Sequence, residues 1–142
     1  MKFPVSIPFV EHLGFELLHF ADGQARIAFT PRPEHLNSFQ VAHGGASMTL
    51  LDVVMAHAAR SVEPGVGAVT IEMKTSFMAA ATGPLVAHGT LLQRTATLAF
   101  TEGRILDAKG KLCAHATGTF KYVRRLPVSA KSSHALNGPA TD

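Results

Sequence analysis

One segment of the 142-residue chain, residues 45–61, constrains the fold more than any other. Its length and the Glu63-Pro64-Gly65 sequence that follows it predict an α-helix. Apolar residues occupy nearly every side of the helical wheel: Ala46, Met48, Leu50, Leu51, Val53, Val54, Met55, Ala56, Ala58 and Ala59. A helix that is apolar all round has to be buried all round. The rest of the chain must therefore surround this helix.

After this helix the apolar residues recur with a period of two, which is typical of β-strands. In residues 68–78, for example, Val69, Ile71 and Met73 alternate with polar side chains. The same reasoning predicts a short helix at 8–13 and further strands at 15–20, 25–29, 85–94, 98–106 and 112–122. The order is two strands, one apolar helix and four strands.

A single helix can be buried on every side only if a curved sheet wraps it. The tight turn at Asp22-Gly23 joins two strands directly, and short connections of this kind favour antiparallel pairing. We therefore expect an α+β hotdog fold, in which a curved antiparallel sheet of about six strands surrounds one long helix. Residues 1–125 form the predicted domain, and residues 126–142 are polar, rich in Pro, Gly and Ser, and expected to be a disordered tail.

The composition narrows the functional classes. The chain carries 13 Lys and Arg against 10 Asp and Glu, a net charge of +3, which suits an anionic ligand. No run of Lys and Arg with interleaved aromatic residues is present, so nucleic acid is not an expected partner. No apolar run approaches the ~20 residues of a membrane span. Prolines interrupt the N-terminal apolar residues, which makes a signal peptide improbable and a cytoplasmic location the expectation.

The single cysteine, Cys113, cannot form an intrachain disulfide and fits a reducing compartment. It lies in an alternating segment without an activating charge nearby, so we expect a buried structural thiol. The eight histidines show neither H-x-x-x-H nor H-E-x-x-H spacing, and we expect no metal and no cofactor. His57, inside the helix, is interpreted as a packed residue or a pocket wall. The G-x-S-x-G motif of serine hydrolases is absent from the sequence.

The segment that carries chemistry begins at Asn37 and leads through His43-Gly44-Gly45 into the helix. Two glycines at a helix start leave the first backbone N–H groups unshielded, where they could polarise a carbonyl, although the same glycines would also suit a tight turn. Asp52 is the one ionisable residue between Ala46 and Ala56. A carboxylate in such surroundings is costly unless it is hydrogen-bonded, and desolvation raises carboxyl pKa values, which suits a general base. A structural alternative is a hydrogen bond from a hydroxyl such as that of Thr49.

Gly44 and Asp52 are separated by eight residues, or ~12 Å along a helix. One carbonyl group cannot contact both residues of the same subunit. If both serve one reaction, the helix of a second subunit has to run antiparallel alongside the first. A symmetric homodimer with two shared sites satisfies this condition, and a dimer of dimers stays open.

Asn37, His43-Gly44-Gly45 and Asp52 together resemble the N-x5-H-G-G-x6-D pattern of PaaI-type hotdog acyl-CoA thioesterases, which include enzymes of phenylacetate pathways. The resemblance extends over residues 13–122. It implies that the Gly44 N–H polarises the thioester carbonyl while the carboxylate of Asp52, from the opposite subunit, acts as nucleophile or general base.

The resemblance assigns further roles around the carbonyl. It implies that Asn37 helps to position substrate or water and that His43 lies beside the carbonyl, and we expect Gly45 to be a substrate-binding residue. Some members carry a serine that holds the attacking water at the position of Thr70, which retains the hydroxyl.

The predicted function is hydrolysis of aryl- or medium-chain acyl-CoA thioesters, without a cofactor. The side chains of Phe39, Phe77 and Met78, together with Met48, are candidates for the acyl pocket. Two alternatives remain at this point: a hotdog enoyl-CoA hydratase, which would need an Asp/His pair before the helix, and a non-catalytic acyl-CoA-binding module. The second would have no need of an acid at position 52.

Overall fold

The computed structural model describes residues 1–124 of the chain. Its helices are α1 (Pro8–Leu13) and α2 (Gly44–Arg60), with a short 3-10 turn at Pro33–His35 between β2 and α2. Its strands are β1 (Glu16–Ala21), β2 (Gln24–Phe29), β3 (Gly67–Phe77), β4 (Leu85–Arg94), β5 (Leu98–Asp107) and β6 (Leu112–Val123). Each predicted element is present within one residue of its expected ends. The predicted tail at 126–142 lies outside the described residues.

The six strands form one antiparallel sheet in the order β1-β2-β4-β5-β6-β3. The sheet curves around α2, which contacts all six strands. This arrangement confirms the predicted hotdog fold. β3 follows α2 in the chain but lies at the edge of the sheet, because it pairs with β6 rather than with β2.

The long helix can approach the sheet closely because glycines replace side chains beneath it. A Cβ atom at Gly89 on β4 would collide with the backbone carbonyl of Val54 in α2. At Gly103 on β5, an added Cβ would lie 3.0 Å from the Cγ of Met55. Gly89 and Gly103 are paired across β4 and β5. The two glycines together allow α2 to pack closely on the sheet.

The far end of α2 carries two polar residues that are fully buried. The Nδ1 of His57 donates to the carbonyl oxygen of Val53 at 2.8 Å, and Phe3 and Phe20 pack edge-on against the imidazole. Burial lowers the pKa of His57 to about 4. The interpretation of His57 as a packed residue is therefore confirmed. Arg60 donates through Nε to the carbonyl oxygen of Val66 at 3.0 Å.

β3 is an edge strand of 11 residues, and its outer side pairs with no strand within residues 1–124. Ile71, near its middle, is 55% exposed. A long edge strand with an exposed apolar residue is a template for pairing with another chain. No helix within residues 1–124 has the length and apolar character needed to span a membrane.

Candidate active site

The carboxylate of Asp52 is half-buried on α2 and accepts a hydrogen bond from Thr70 on β3. The distance from Thr70 Oγ1 to Asp52 Oδ1 is 2.5 Å, in the range of charge-assisted O–H···O bonds. Thr49, the sequence-based alternative partner, instead donates to the carbonyl oxygen of Gly45. The acid in the apolar helix is thus held by a hydroxyl from the sheet.

Asp52 and Thr70 open onto a mostly apolar cavity of about 570 Å³, which we call the acid cavity. Its lining residues come from α1, its preceding residue, α2 and β3: Ile7, Phe9, Val10, Met48, Thr49, Asp52, Val53, Thr70 and Met73. Met48, which was predicted as a residue of the acyl pocket, lines this cavity. Ile7, Phe9 and Val10 also line it but were not predicted to do so. Their signal was the cluster of apolar residues around Pro8, which we interpreted as a short helix alone.

The other end of α2 presents one free backbone donor. His43 is the N-cap, and its Nδ1 accepts a hydrogen bond from the Gly45 N–H at 2.8 Å. The N–H groups of Ala46 and Ser47 bind the carbonyl oxygen of His43. The Gly44 N–H therefore remains as the donor of this turn that has no partner within residues 1–124. It lies at the positive end of the helix dipole.

The hydrogen bond from Gly45 also defines the protonation of the His43 ring. Because Nδ1 accepts a hydrogen bond from the backbone N–H of Gly45, the hydrogen of the neutral imidazole lies on Nε2. His43 is exposed. It can therefore present an N–H donor beside the helix start.

Asn37 organises the loop that precedes α2. Its Oδ1 accepts hydrogen bonds from the backbone N–H groups of Phe39 at 2.9 Å and Val41 at 3.3 Å. The turn is completed by Gln40, which adopts the left-handed conformation with φ of 63°. With its oxygen used in this way, the side chain of Asn37 has its amide N–H groups left for a ligand.

A second cavity of about 400 Å³, the amide cavity, lies at this end of the helix. Its lining residues include Asn37, Val41, Gly44, Ser47, Phe77, Met78 and Cys113. Phe77 packs closely on the helix start, since a Cβ at residue 44 would lie 3.3 Å from its Cζ. Of the predicted acyl-pocket residues, Phe77 and Met78 lie here. Phe39 is 84% exposed at the loop tip and lines neither cavity.

The predicted site residues thus form two separate groups. Asp52, in the middle of α2, and Thr70, on β3, form the first group. The second group lies at the start of α2 and consists of Asn37, His43, Gly44 and Gly45. Asp52 and Thr70 line the acid cavity, whereas Asn37 and Gly44 line the amide cavity. The eight-residue separation of Gly44 and Asp52 is fully helical, so no movement of their side chains brings them together.

Cys113 is 1% exposed, and burial raises the pKa of its thiol. Its Sγ points to the carbonyl oxygens of Ala80 and Lys111. The expectation of a buried structural thiol is confirmed. Within the described part of the chain, no group of three or more His, Cys, Asp or Glu side chains could hold a metal ion.

Comparison with known proteins places this geometry in a family. The profile of the thioesterase superfamily matches residues 39–114. A protein of Saccharolobus solfataricus described as an esterase is 31% identical over 120 residues, which cover 84% of this chain and 85% of that protein. The chain belongs to the thioesterase superfamily.

Two further members of the superfamily are similar over most of the chain. Human acyl-coenzyme A thioesterase 13 is 30% identical over 106 residues, or 72% of this chain and 76% of that protein. A solved variant of the phenylacetic acid degradation protein PaaI from Thermus thermophilus superposes with a TM-score of 0.74 at 29% identity, covering 81% of this chain and 98% of the other. The predicted resemblance to PaaI-type proteins is confirmed.

The segment that matches the thioesterase superfamily includes both groups of site residues except Asn37. It begins in the loop before α2, contains the whole of α2 and β3, and ends in β6. Ile7, Phe9 and Val10 of the acid cavity lie outside it.

Proposed function

We propose that this thioesterase-superfamily protein hydrolyses acyl-CoA thioesters to a free acid and coenzyme A. The observation that carries the proposal is the hydrogen-bonded pair of Asp52 and Thr70 on an apolar cavity. An acid in such a setting is costly to the fold unless it is hydrogen-bonded or has a function, and membership of the thioesterase superfamily supports a catalytic one. A protein that merely bound acyl-CoA would have no use for this acid.

The carboxylate of Asp52 serves the attack on the thioester carbonyl. As a general base, Asp52 takes a proton from a water molecule. The same water molecule also forms a hydrogen bond with Thr70 Oγ1. The water oxygen bonds to the carbonyl carbon, the C–S bond breaks, and the departing thiolate receives the proton from Asp52. As a nucleophile, the carboxylate would instead attack the carbonyl carbon, the C–S bond would break with release of the coenzyme A thiolate, and water would hydrolyse the resulting anhydride to the free acid and Asp52.

The Gly44 N–H supports the same step from the opposite side. It polarises the thioester carbonyl and stabilises the negative charge that develops on oxygen, assisted by the dipole of α2. A preorganised donor of this kind is typically worth ~100-fold or more in rate. The exposed Nε2–H of His43 and the amide of Asn37 are placed to bind the remainder of the thioester.

The two groups meet when a second copy of the chain pairs with the first. β3 connects them, since Thr70 contacts Asp52 and Phe77 contacts the start of α2. If β3 pairs antiparallel with β3 of a second copy around Met73, Thr70 of one protomer lies opposite Ser76 of the other, next to Phe77. The acid cavity of one subunit then faces the amide cavity of its partner across a two-fold axis.

The apolar walls of the acid cavity favour an aryl or medium-length aliphatic acyl group over a polar one. A panel of aryl- and alkyl-CoA thioesters, followed by release of free thiol, measures this preference. The largest kcat/KM is expected for aryl or medium-chain aliphatic acyl groups, and a much smaller value for polar ones.

The role of Asp52 is tested by Asp52→Asn, which keeps the shape of the side chain and removes its basicity. We expect kcat to fall by about a thousandfold or more while the substrate still binds. Thr49→Val is the matched control, because Thr49 lines the same cavity but donates to Gly45. Near-normal hydrolysis by Asp52→Asn would refute the proposal.

A single turnover in ¹⁸O-labelled water distinguishes the two forms of the chemistry. General-base catalysis incorporates ¹⁸O directly into the released acid. Nucleophilic attack is identified when water opens the anhydride at the carboxyl carbon of Asp52, because the first product then carries an unlabelled oxygen of Asp52 and the label stays in the carboxylate. Mass spectrometry of the product and of the protein reads both.

The shared site is tested by mixing two inactive variants, Asp52→Ala and Gly44→Pro, through joint unfolding and refolding. In a mixed dimer, one site inherits both lesions and the other inherits neither. Random pairing makes half the dimers mixed, so about a quarter of wild-type activity should return. Gly44→Ala is the control, since it adds a Cβ beside Phe77 but keeps the N–H. Mixed dimers without recovered activity would refute the sharing.

A further inference from the structure

The outer face of the sheet carries a row of basic side chains that the chemistry above does not use. Arg26 on β2 is paired with His88 on β4, which is paired with Arg104 on β5, and Arg104 with His115 on β6. The residues on either side of each in its strand are more buried and face α2 or the core. These four residues, which we call the basic row, therefore cross four adjacent strands on the face opposite the helix.

The charges of the two arginines of the basic row are not neutralised by ion pairs within the described residues, although His115 is paired with Glu102. Within residues 1–124, neither Arg26 nor Arg104 forms a salt bridge. Glu102, in the neighbouring row, accepts from Nε2 of His115 at 2.8 Å rather than from either arginine. Arg26 and Arg104 lie on the strands to either side of β4, and two positive charges without ion pairs on one face favour the binding of an external anion.

His88 is the centre of the row. Burial, together with the positive charges of Arg104 and Arg26, lowers its pKa. Strands lie ~4.8 Å apart, so the backbones of the two arginines that flank His88 are ~10 Å apart. Two guanidinium groups at this spacing can bind two adjacent phosphates, one from either side. A single phosphate could not contact both guanidinium groups fully.

A polar cavity of about 240 Å³ adjoins the row. It is lined by Gln24, His88, Thr90, Glu102, Gly103 and Arg104. The Thr90 hydroxyl donates to Oε1 of Gln24 at 3.1 Å, which leaves the amide N–H groups of Gln24 as donors. The carboxylate of Glu102 is the one lining group that opposes an anion.

We propose that the basic row and this cavity bind the diphosphate group of a small anionic ligand, at a site separate from the acyl site. The sheet lies between the row and α2, so Asp52 and the row face opposite sides. The charge excess argues against stacking of two copies through this face, because identical basic rows would repel. This inference stands independently of the proposed function.

Isothermal titration calorimetry of the full-length protein with inorganic pyrophosphate at low ionic strength tests the site. We expect Arg104→Gln and Arg26→Gln each to weaken binding by about tenfold, and Glu102→Gln to strengthen it. Lys121→Gln is the matched control, an exposed cation on the outer face of β6 but outside the row, and should change the affinity by less than about twofold. Orthophosphate should bind more weakly than pyrophosphate.

A second measurement separates the site from its alternatives. Pyrophosphate should bind equally well when the acyl site is saturated with a non-hydrolysable thioether of coenzyme A. Displacement by that compound would overturn the proposal, since the diphosphate would then belong to the substrate. Equal affinities of Arg104→Gln and Lys121→Gln would also overturn it, as would an Arg104→Gln variant that changes the mass of the assembly but not the pyrophosphate affinity.

Discussion

The backbone carbonyl of Val54 occupies the place that a Cβ atom on Gly89 would need. Because both partners are parts of regular elements, neither can move without displacing α2 or β4. Gly89→Ala should therefore destabilise the protein by about 3 kcal/mol, as overpacking against backbone does. Urea denaturation at a fixed protein concentration measures the change.

Gly65→Ala is the control for this prediction, because no heavy atom lies within 4 Å of an added Cβ there. We expect its free energy of unfolding to stay within about 0.5 kcal/mol of wild type. If both variants were equally stable, α2 would not pack on the sheet as closely as the contact between Gly89 and Val54 indicates.

The hydroxyl of Thr70 should matter for turnover rather than for folding. Thr70→Val keeps the branched shape and removes the donor to Asp52, and Thr70→Ser keeps the donor. A hydrogen bond to a charged group is worth about 1.5–3 kcal/mol, so kcat should fall roughly 10- to 100-fold in Thr70→Val. Steady-state kinetics of both variants decide the point, and a Thr70→Ser variant as impaired as Thr70→Val would assign the effect to packing.

His57 should make the stability depend on pH below neutrality. The unfolded chain binds a proton at His57 near the ordinary pKa of 6.5, whereas the folded protein resists it until about pH 4. The stability contributed by neutral His57 is therefore complete above pH 6.5 and is lost as the pH falls towards 4. The loss amounts to up to ~1.4 kcal/mol per pH unit, or roughly 3 kcal/mol over the window.

Comparison of the wild type with His57→Gln isolates this contribution. The difference in unfolding free energy between the two proteins should narrow steadily between pH 6.5 and 4. A constant difference over that interval would mean that His57 is protonated in the folded state.

Hydrolysis should not require a metal ion. The proposed chemistry uses a carboxylate, a hydroxyl and a backbone N–H, none of which needs a metal. Prolonged treatment with a chelator should leave kcat and KM unchanged. Activity that disappears and returns with a divalent ion would contradict this expectation.

The elements of the fold could be predicted from the sequence because their signals are local. The change from helical to alternating periodicity after Ser61 placed β3 within one residue of its true ends. The strand order could not be predicted in this way, since the pairing of β3 with β6 joins segments that are far apart in the chain. The full burial of Arg60 was also missed, because a cation in the last turn of a helix ordinarily reaches solvent.

The candidate site was accessible to sequence reasoning to different degrees. Asp52 stood out as an acid among apolar neighbours, and the glycines before it as a bare helix start. The contact between Asp52 and Thr70 was not predicted, since nothing local joins two residues 18 positions apart, and the family resemblance gave Thr70 a role only towards the attacking water. The basic row has no sequence signal at all, because each member is one polar residue of an alternating strand and the register alone aligns them.

The burial of Cys113 determines how the proposed reaction can be followed. The product, coenzyme A, is itself a thiol, and the chain contains one cysteine, which is 1% exposed. A chromogenic disulfide reagent will therefore report the product against a nearly silent protein, without prior alkylation. For the same reason, the enzyme should not become trapped as a mixed disulfide with its own product when reducing agents are left out of the buffer.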